Sequence, residues 1–390
     1  MRNISFLLLL LTMLTQSFNL HPLRRSFCKN LRHLSPTSNN EPPKTKGPGP
    51  TLLKPTPSNL SACLAHLTTG NLLALPTETV YGLASTLSPP SSSKIFKLKN
   101  RPHTSPLIVH VYDYETSLPY IDASESILKI HKILTDEFWP GPLTIILPSS
   151  ERVPSTINAN TNTVALRSPS NTLTREGILK HVTVCMPSAN KFGHVSPTTS
   201  SHVMSEFEND DIWILDGDES EDTGNVGIES TVVKVVRGNL VEVLRPGKVT
   251  GGEVGECLRE GGVEGVEVRG YVRREVVVLG EDEESNGSPG QSLKHYSPNI
   301  PCYIYTPSTP LPPLPTTIII SLTPEKTTCL LNIVLGQTAE ESSSNLYKAL
   351  REAERVEGAK EIYIQDVPGV ESFDGLRDRI YRAAEGRYAK

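Results

Sequence analysis

Short apolar runs recur from residue 59 onward, each of strand length and each closed by turn residues. NLLALP, PLIVHV, LTIILP, VALR, VTVCMP, DIWILD and STVVKVV follow one another in this order. Several are rich in Val or Ile, as buried strands are. Candidate helices lie between them at 60–68, 92–99, 125–138, 173–181 and 199–208. Mixed strands and helices predict an α/β or α+β domain over residues 59–250. A second series, CYIYTP, TTIIISLT, CLLNIVLG and EIYIQDVPG, accompanies a helix at 343–357. Leu346, Ala349, Leu350 and Ala353 form the apolar face of that helix, and a last helix runs from about 375 to 384. This alternation predicts a small Rossmann-like α/β domain over residues 301–390. No G-x-G-x-x-G is present, so nothing in it argues for a dinucleotide.

The remaining stretches lack this texture. Residues 251–290 are rich in Gly and Glu, with an acidic run at 281–285. They read as a weakly ordered insertion, and residues 251–300 as the linker between the domains. Residues 34–58, rich in Pro, Ser, Thr and Asn, read as a disordered spacer. Residues 1–17 carry Arg2, then an apolar run from Ile4 to Leu14, then Ser17. That is the form of a secretory signal, and the run is short for a membrane span. The following segment contains Arg24, Arg25, Lys29 and Arg32, and the first acidic residue of the chain is Glu41. Basic and acid-free is the transit-peptide form. With Phe18 just after the break, the pair resembles the two-part leaders of complex algal plastids. A mitochondrial presequence, simple secretion, a short anchor, or residence in the cytoplasm are the alternatives. Stable membrane association of the mature chain is not expected.

Composition narrows the function classes. The chain has 390 residues, enough for two ordinary domains, and a formal net charge of −5. A dedicated nucleic-acid binder usually has a basic excess, which is missing here. The six cysteines form no C-x-x-C pair, so no zinc knuckle or disulfide framework follows. No P-loop, G-x-S-x-G elbow or H-E-x-x-H is present.

The candidate chemistry lies in the turns at the strand ends. Thr77 stands in PTET, Lys99 and Arg101 in KNR, Arg167 at the end of VALR, Ser188 and Asn190 in PSAN, and Arg245 in LRPG. Any one of these alone is an ordinary turn with a capping hydroxyl, or a solvated cation. His110 alone reads as a satisfied core histidine. Together they offer hydroxyls, backbone N–H groups and three guanidinium groups, which suit a polyanion plus a small carboxylate. No covalent nucleophile is evident. The chemistry that remains natural is positioning with electrostatic stabilisation, as in nucleotidyl transfer.

In succession, PTETVYGL, KIFKLKNRP, SPLIVHV, WPGPLT, VALRSP, MPSANKFG, GIESTVV and LRPG resemble the Sua5/YrdC/YciO family. SPGQSLKHYSP at 288–298 resembles the linker of its longer, Sua5-type members. LYKALREAERVEGAKEIYIQDVP and GLRDRIYRAAE resemble their C-terminal domain. The resemblance implies a YrdC-like twisted α/β core with a large concave, positively lined cavity. It implies a nucleotidyltransferase: L-threonine captures bicarbonate, the N-carboxythreonine attacks the α-phosphate of ATP, and pyrophosphate leaves threonylcarbamoyl-AMP. A separate tRNA threonylcarbamoyl transferase would then modify adenosine 37 of ANN-decoding tRNAs, with at most transient tRNA contact by this chain. Mg²⁺ is implied as the companion of ATP, without a protein-only cage.

Carried over position by position, the resemblance assigns Thr77, His110, Arg167, Met186 and Thr231 to threonine. Arg167 would hold its carboxylate, and Met186 would act through its backbone. Arg101, Ser105, Thr163, Ser188, Asn190 and Arg245 are assigned to ATP. Lys99 joins Arg101 as catalytic, and Tyr296 is assigned as a lid. Ser105 stands where many members have Asn, and its reach is shorter. Two other functions fit the core: a non-catalytic double-stranded RNA or tRNA binding module, and carbamoyl transfer, whose enzymes carry cysteine pairs lacking here.

Overall fold

The computed structural model describes residues 49–220, 222–272, 295–307, 311 and 313–389. The leader, the acidic run at 281–285 and the first part of the SPGQSLKHYSP linker lie outside the described residues. The first domain holds β1 (Thr51–Leu53), β2 (Leu73–Leu75), β3 (Gly82–Thr86), β4 (Ile108–His110), β5 (Leu143–Pro148) and β6 (Thr163–Arg167). It continues with β7 (Val184–Cys185), β8 (Trp213–Leu215), β9 (Thr231–Arg237), β10 (Leu240–Arg245) and β11 (Glu267–Arg269). These eleven strands form one mixed sheet, ordered β1-β8-β2-β3-β7-β4-β6-β5-β9-β10-β11.

Its principal helices are α1 (Pro57–Thr68), α2 (Pro89–Lys99), α3 (Glu125–Phe138), α4 (Ser200–Glu206) and α5 (Gly251–Glu260). The caps explain several of the ends. The Thr56 hydroxyl accepts from Asn59 N–H at 3.2 Å and proline occupies the first turn of α1. At the end of α2, Asn100 adopts the left-handed conformation (φ 54°) and Arg101 N–H bonds the Phe96 carbonyl at 2.9 Å. That sharp stop is what turns Lys99 and Arg101 inward. The expected helix at 173–181 is a single turn, Thr172–Thr174, passing into a π-helical turn, Arg175–Leu179.

Both expected boundaries of this domain shift outward. Residues 51–58 do not act as spacer: β1 pairs with β8 in parallel, and Thr56–Pro57 starts α1. Polar composition concealed a three-residue edge strand and a helix cap. Residues 251–269 likewise do not behave as a weakly ordered insertion. Thr250 and Glu253 form a reciprocal capping box, Val254 and Leu258 are buried in the main core, and β11 extends the sheet beside β10. Gly261 lies against Ile133 of α3, so this segment closes over the α3 side of the first domain.

The second domain has β12 (Cys302–Tyr305), β13 (Leu314–Ser321), β14 (Cys329–Val334) and β15 (Glu361–Gln365). They form an all-parallel sheet in the order β12-β15-β13-β14, as the Rossmann-like expectation requires. Helices α6 (Ala339–Ala353) and α7 (Asp374–Ala383) pack beside it. α6 starts earlier than periodicity indicates because Thr338 and Glu341 form another capping box.

The domains share a core. Val80, Val195, Val226 and Ile228 of the first are buried in one cluster with Leu346, Leu350, Leu376 and Ile380 of the second. The backbones approach closely: a Cβ on Gly227 (φ 75°) would lie 2.2 Å from the Ser344 Cα, and one on Gly375 3.0 Å from the Gly247 Cα. Only glycine fits either contact.

The new N-terminal boundary is testable by truncation. A chain beginning at residue 59 should be less stable than one beginning at 49 by about 1–3 kcal/mol, since it loses a helix cap and a strand. Thermal unfolding of the two forms checks this, and equal midpoints would restore residues 49–58 to the spacer.

Candidate active site

A cavity opens where the ends of the central strands meet the second domain. Its wall takes Thr77 and Val80 from the loop after β2, Gly82 from β3, and Arg101 and Pro106 from the loop after α2. Ile108 and His110 of β4 and Arg167 of β6 come next, then Met186, Pro187 and Ser188 after β7. Glu229 and Ser230 before β9, Arg245 of β10, and His295 and Tyr296 complete it. Period-two alternation puts Ile108 and His110 on the cavity face while Val109 enters the core. Parallel pairing of β4 with β6 sets His110 directly beside Arg167.

The enclosed space is only about 50 Å³, room for one or two waters. The large concavity expected from the family is filled here by His295 and Tyr296. Both are buried, their rings stand edge to face at 4.0 Å, and the Tyr296 backbone is left-handed (φ 60°). The Tyr296 hydroxyl and His295 Nδ1 are buried without a hydrogen-bond partner. Just beyond, Ser297 N–H bonds the Gly193 carbonyl at 2.9 Å and Asn299 N–H bonds Glu354 at 3.0 Å.

The cations are held by oxygens of the wall itself. Arg101 donates to the Ser105 hydroxyl at 2.5 Å and to the Pro106 carbonyl at 2.9 Å. Burial lowers its pKa to about 10. Arg245 donates to the Ser230 carbonyl at 2.9 Å and to its hydroxyl at 3.1 Å. Lys99 donates to the Ser188 carbonyl at 2.6 Å and also to the Asn190 carbonyl. Burial, then the neighbouring Arg101, hold its ammonium well below the usual range. Arg167 reaches Glu78 at 2.6 Å and the Thr79 hydroxyl at 2.9 Å through one nitrogen, Nη2. Its Nε is buried without a partner.

His110 is the neutral member. Its Nδ1 lies 3.2 Å from the Ile108 carbonyl, and a carbonyl only accepts, so Nδ1 carries the proton. Burial, then the charge of Arg167, lower its pKa to about 3. The ring therefore presents a bare Nε2, an acceptor, beside a guanidinium.

Eight of the expected site residues line this one cavity: Thr77, Arg101, His110, Arg167, Met186, Ser188, Arg245 and Tyr296. The Thr77 hydroxyl closes its own turn, donating to the Val80 carbonyl at 2.7 Å. The Met186 N–H is used by the Ile108 carbonyl at 3.0 Å, and its side chain fills the space over Gly82. Lys99 and Ser105 stand one layer back, bonded to the wall. Thr163, Asn190 and Thr231 are not in the wall. The Thr231 hydroxyl donates to Val249 at 2.6 Å, the Thr163 hydroxyl pairs with Thr161 at 3.0 Å, and the Asn190 amide donates to Lys191 and His194. Glu229 and Ser230, immediately before Thr231 in the GIEST loop, line the wall beside it.

Comparisons with known proteins settle the family. A family model described as telomere recombination, for Sua5, YciO and YrdC proteins, matches residues 65–247. A second, the threonylcarbamoyl-AMP synthase C-terminal domain, matches residues 262–385. The threonylcarbamoyl-AMP synthase of Pyrococcus abyssi is 33% identical over 73% of this chain and 82% of its own. The chain belongs to the Sua5/YrdC/YciO family. The Bacillus subtilis threonylcarbamoyl-AMP synthase is 32% identical over 63% of this chain and 66% of its own. The crystal structure of P. abyssi Sua5 complexed with L-threonine superposes with a TM-score of 0.73 at 27% identity, covering 87% of this chain and 98% of that one. Two-domain architecture is thus shared with the Sua5-type members.

Among the described residues, no three His, Cys, Asp or Glu side chains are grouped to hold a metal. Glu229, the carboxylate in the wall, is engaged by Ser196, Tyr347 and Arg379. No helix among the described residues is long and apolar enough to cross a membrane.

The neutrality of His110 sets a pH dependence. Its pKa is about 3 when folded, against an ordinary value of 6.5. Below 6.5 the unfolded chain binds a proton that the folded chain does not, so this group makes stability fall as pH drops toward 3. Stability lost between pH 6.5 and pH 5 should be smaller by about 1–2 kcal/mol in His110→Gln. Urea unfolding at both pH values measures it. Equal losses in the two proteins would mean that His110 is protonated inside the fold.

Proposed function

We propose that this chain is an L-threonylcarbamoyladenylate synthase, forming threonylcarbamoyl-AMP and pyrophosphate from L-threonine, bicarbonate and ATP. The observation that carries the proposal is the pairing of neutral His110 with Arg167 on adjacent strands, in a cavity whose wall also holds Arg101 and Arg245. One half of the cavity suits an amino acid, and the other a polyphosphate.

In this reading Arg167 holds the threonine carboxylate through the nitrogens that Glu78 and Thr79 leave available. The bare Nε2 of His110 faces the amino group and accepts a hydrogen bond from it. The ammonium form of threonine and bicarbonate give N-carboxythreonine, water and a proton. The new carboxylate attacks the α-phosphorus, a P–O bond forms, and the bond to the pyrophosphate oxygen breaks. Arg101 and Arg245 offset the charge that grows on the phosphates. Lys99 acts by holding the Ser188 and Asn190 carbonyls, and its charge adds to the field. Mg²⁺ would enter with ATP and supply positive charge to its phosphates, while Glu229 keeps its protein partners Ser196, Tyr347 and Arg379. His295 and Tyr296 leave to admit substrates and return to exclude water from the hydrolysable mixed anhydride.

The product would pass to a tRNA threonylcarbamoyl transferase for adenosine 37 of ANN-decoding tRNAs. The binding-module reading draws less support, because these cations are buried in the wall and do not form an exposed face for a duplex. For the leader we propose plastid import, with mitochondrial import as the alternative. Residues 1–48 fused to a fluorescent protein should mark the plastid of a complex alga, and mitochondrial or secreted fluorescence would reject that address.

The activity test is pyrophosphate release by the full chain. Release should require L-threonine and bicarbonate together. Arg167→Met should raise the threonine KM by about tenfold or more while moving the ATP KM by less than about twofold, and Arg101→Met should do the reverse. Release indifferent to threonine, or a folded chain that releases none, would sink the proposal.

A further inference from the structure

The second domain holds a buried carboxylate of the cavity wall. Glu229 accepts from the Ser196 hydroxyl at 2.6 Å, the Tyr347 hydroxyl at 2.8 Å and Arg379 Nε at 2.9 Å. Tyr347 is on α6 and Arg379 on α7, and neither side chain has any exposed surface. Arg379 also donates to the Glu229 carbonyl at 3.2 Å and to the Pro246 carbonyl at 2.8 Å. It therefore grips the residue before Ser230 and the residue after Arg245. The residues so flanked are the ones whose side chains bond each other at 3.1 Å in the cavity wall.

The charges add a second argument. Two guanidinium groups act on the Glu229 carboxylate, Arg379 of the other domain, which is bonded to it at 2.9 Å, and Arg245 of its own domain through its charge. A buried carboxylate deprived of one cation turns to the next, because an unpaired buried charge is the costlier state. Without Arg379, the next cation is Arg245. Arg245 would then be neutralised by the protein and withdrawn from an anionic ligand.

We propose that Arg379 and Tyr347 are positioning residues for the nucleotide half of the catalytic site: they hold Glu229 away from Arg245 and keep Arg245 and Ser230 facing the phosphates. The second domain is in this sense part of the nucleotide site, although none of its side chains touches the nucleotide. The proposal rests on the assignment of Arg245 to ATP in the synthase reading.

The test is calorimetric binding of ATP and of L-threonine to the full chain. Arg379→Met should weaken ATP binding by about tenfold and leave threonine binding within about twofold. Adding Glu229→Gln to it removes the competing charge and should restore most of the ATP affinity, which a general packing defect would not allow. Tyr347→Phe keeps the ring and removes one hydrogen bond to Glu229. It should weaken ATP binding by about threefold, and it decides the question if Arg379→Met does not fold. Unchanged ATP affinity, joint loss of ATP and threonine binding, or failure of the double variant to recover would each overturn the proposal. Wild-type chain that binds ATP but releases no pyrophosphate with threonine and bicarbonate would sink the synthase reading and leave this test intact. Wild-type chain that binds no ATP would sink both.

Discussion

A cation removed from water is costly unless protein oxygens replace the water, at several kilocalories per mole for each unpaired charge. Lys99, Arg101, Arg167, Arg245 and Arg379 are all buried around one small space. The surrounding loops meet this requirement locally. Ser188 and Asn190 carbonyls hold Lys99, Ser105 and Pro106 hold Arg101, and Ser230 holds Arg245. Carbonyl and hydroxyl partners leave the positive charge intact, so the wall stays attractive to an anion. Full neutralisation by carboxylates would have stabilised the wall and removed its use. Among the described residues, carboxylates pair with two of these guanidinium groups, Glu78 with Arg167 and both Glu229 and Asp378 with Arg379. In both places the carboxylates orient a guanidinium.

This requirement also accounts for the domain interface. Glu229 needs two donors from α6 and α7, and the glycines at 227, 247 and 375 allow those helices to approach. A parallel group of contacts fixes the segment after Tyr296. His194 lies 2.7 Å from Glu206 and 3.1 Å from Glu354, and Arg351 joins Glu206 at 2.9 Å. Burial would depress the His194 pKa, but the two carboxylates outweigh it and raise it to about 9. His194 is thus a charged clasp between domains, whereas His110 is a neutral acceptor in the cavity. The same residue type serves opposite ends because two carboxylates face one ring and a guanidinium faces the other.

Most strands were readable because β2, β4 to β9 and the second sheet are short apolar runs bounded by turns, most of them containing Val or Ile. The less visible parts have specific reasons. β1 is three residues with two of them exposed, so no apolar run announces it. α5 is rich in Gly and Glu, and its order comes from a capping box and from packing on α3. The site was readable as far as single loops specify it: PTET, KNR, VALR, PSAN and LRPG each supplied what the cavity uses. For GIEST the motif named the loop, and the fold shows which of its side chains line the cavity, Glu229 and Ser230, while the Thr231 hydroxyl bonds the Val249 carbonyl. Arg379 and Tyr347 could not be read from spacing. Their partner lies more than a hundred residues away, and only the folded interface brings α6 and α7 to Glu229.

The closed cavity shows how such a wall persists between substrates. Tyr296 places its ring 5.3 Å from the Arg379 guanidinium, and aromatic faces stabilise cations without neutralising them. Its closed position carries two costs, a left-handed backbone and an unpartnered hydroxyl, each of about 1–3 kcal/mol. A side chain held by cation–π attraction against those costs fills the site without competing strongly with a charged ligand. Phosphate oxygens would make charge-assisted hydrogen bonds to the neighbouring Arg101 and Arg245, which are stronger than an aromatic face provides. The ordering of these interactions makes the aromatic plug the weaker occupant, so the wall can stay dry and charged and still accept a polyanion.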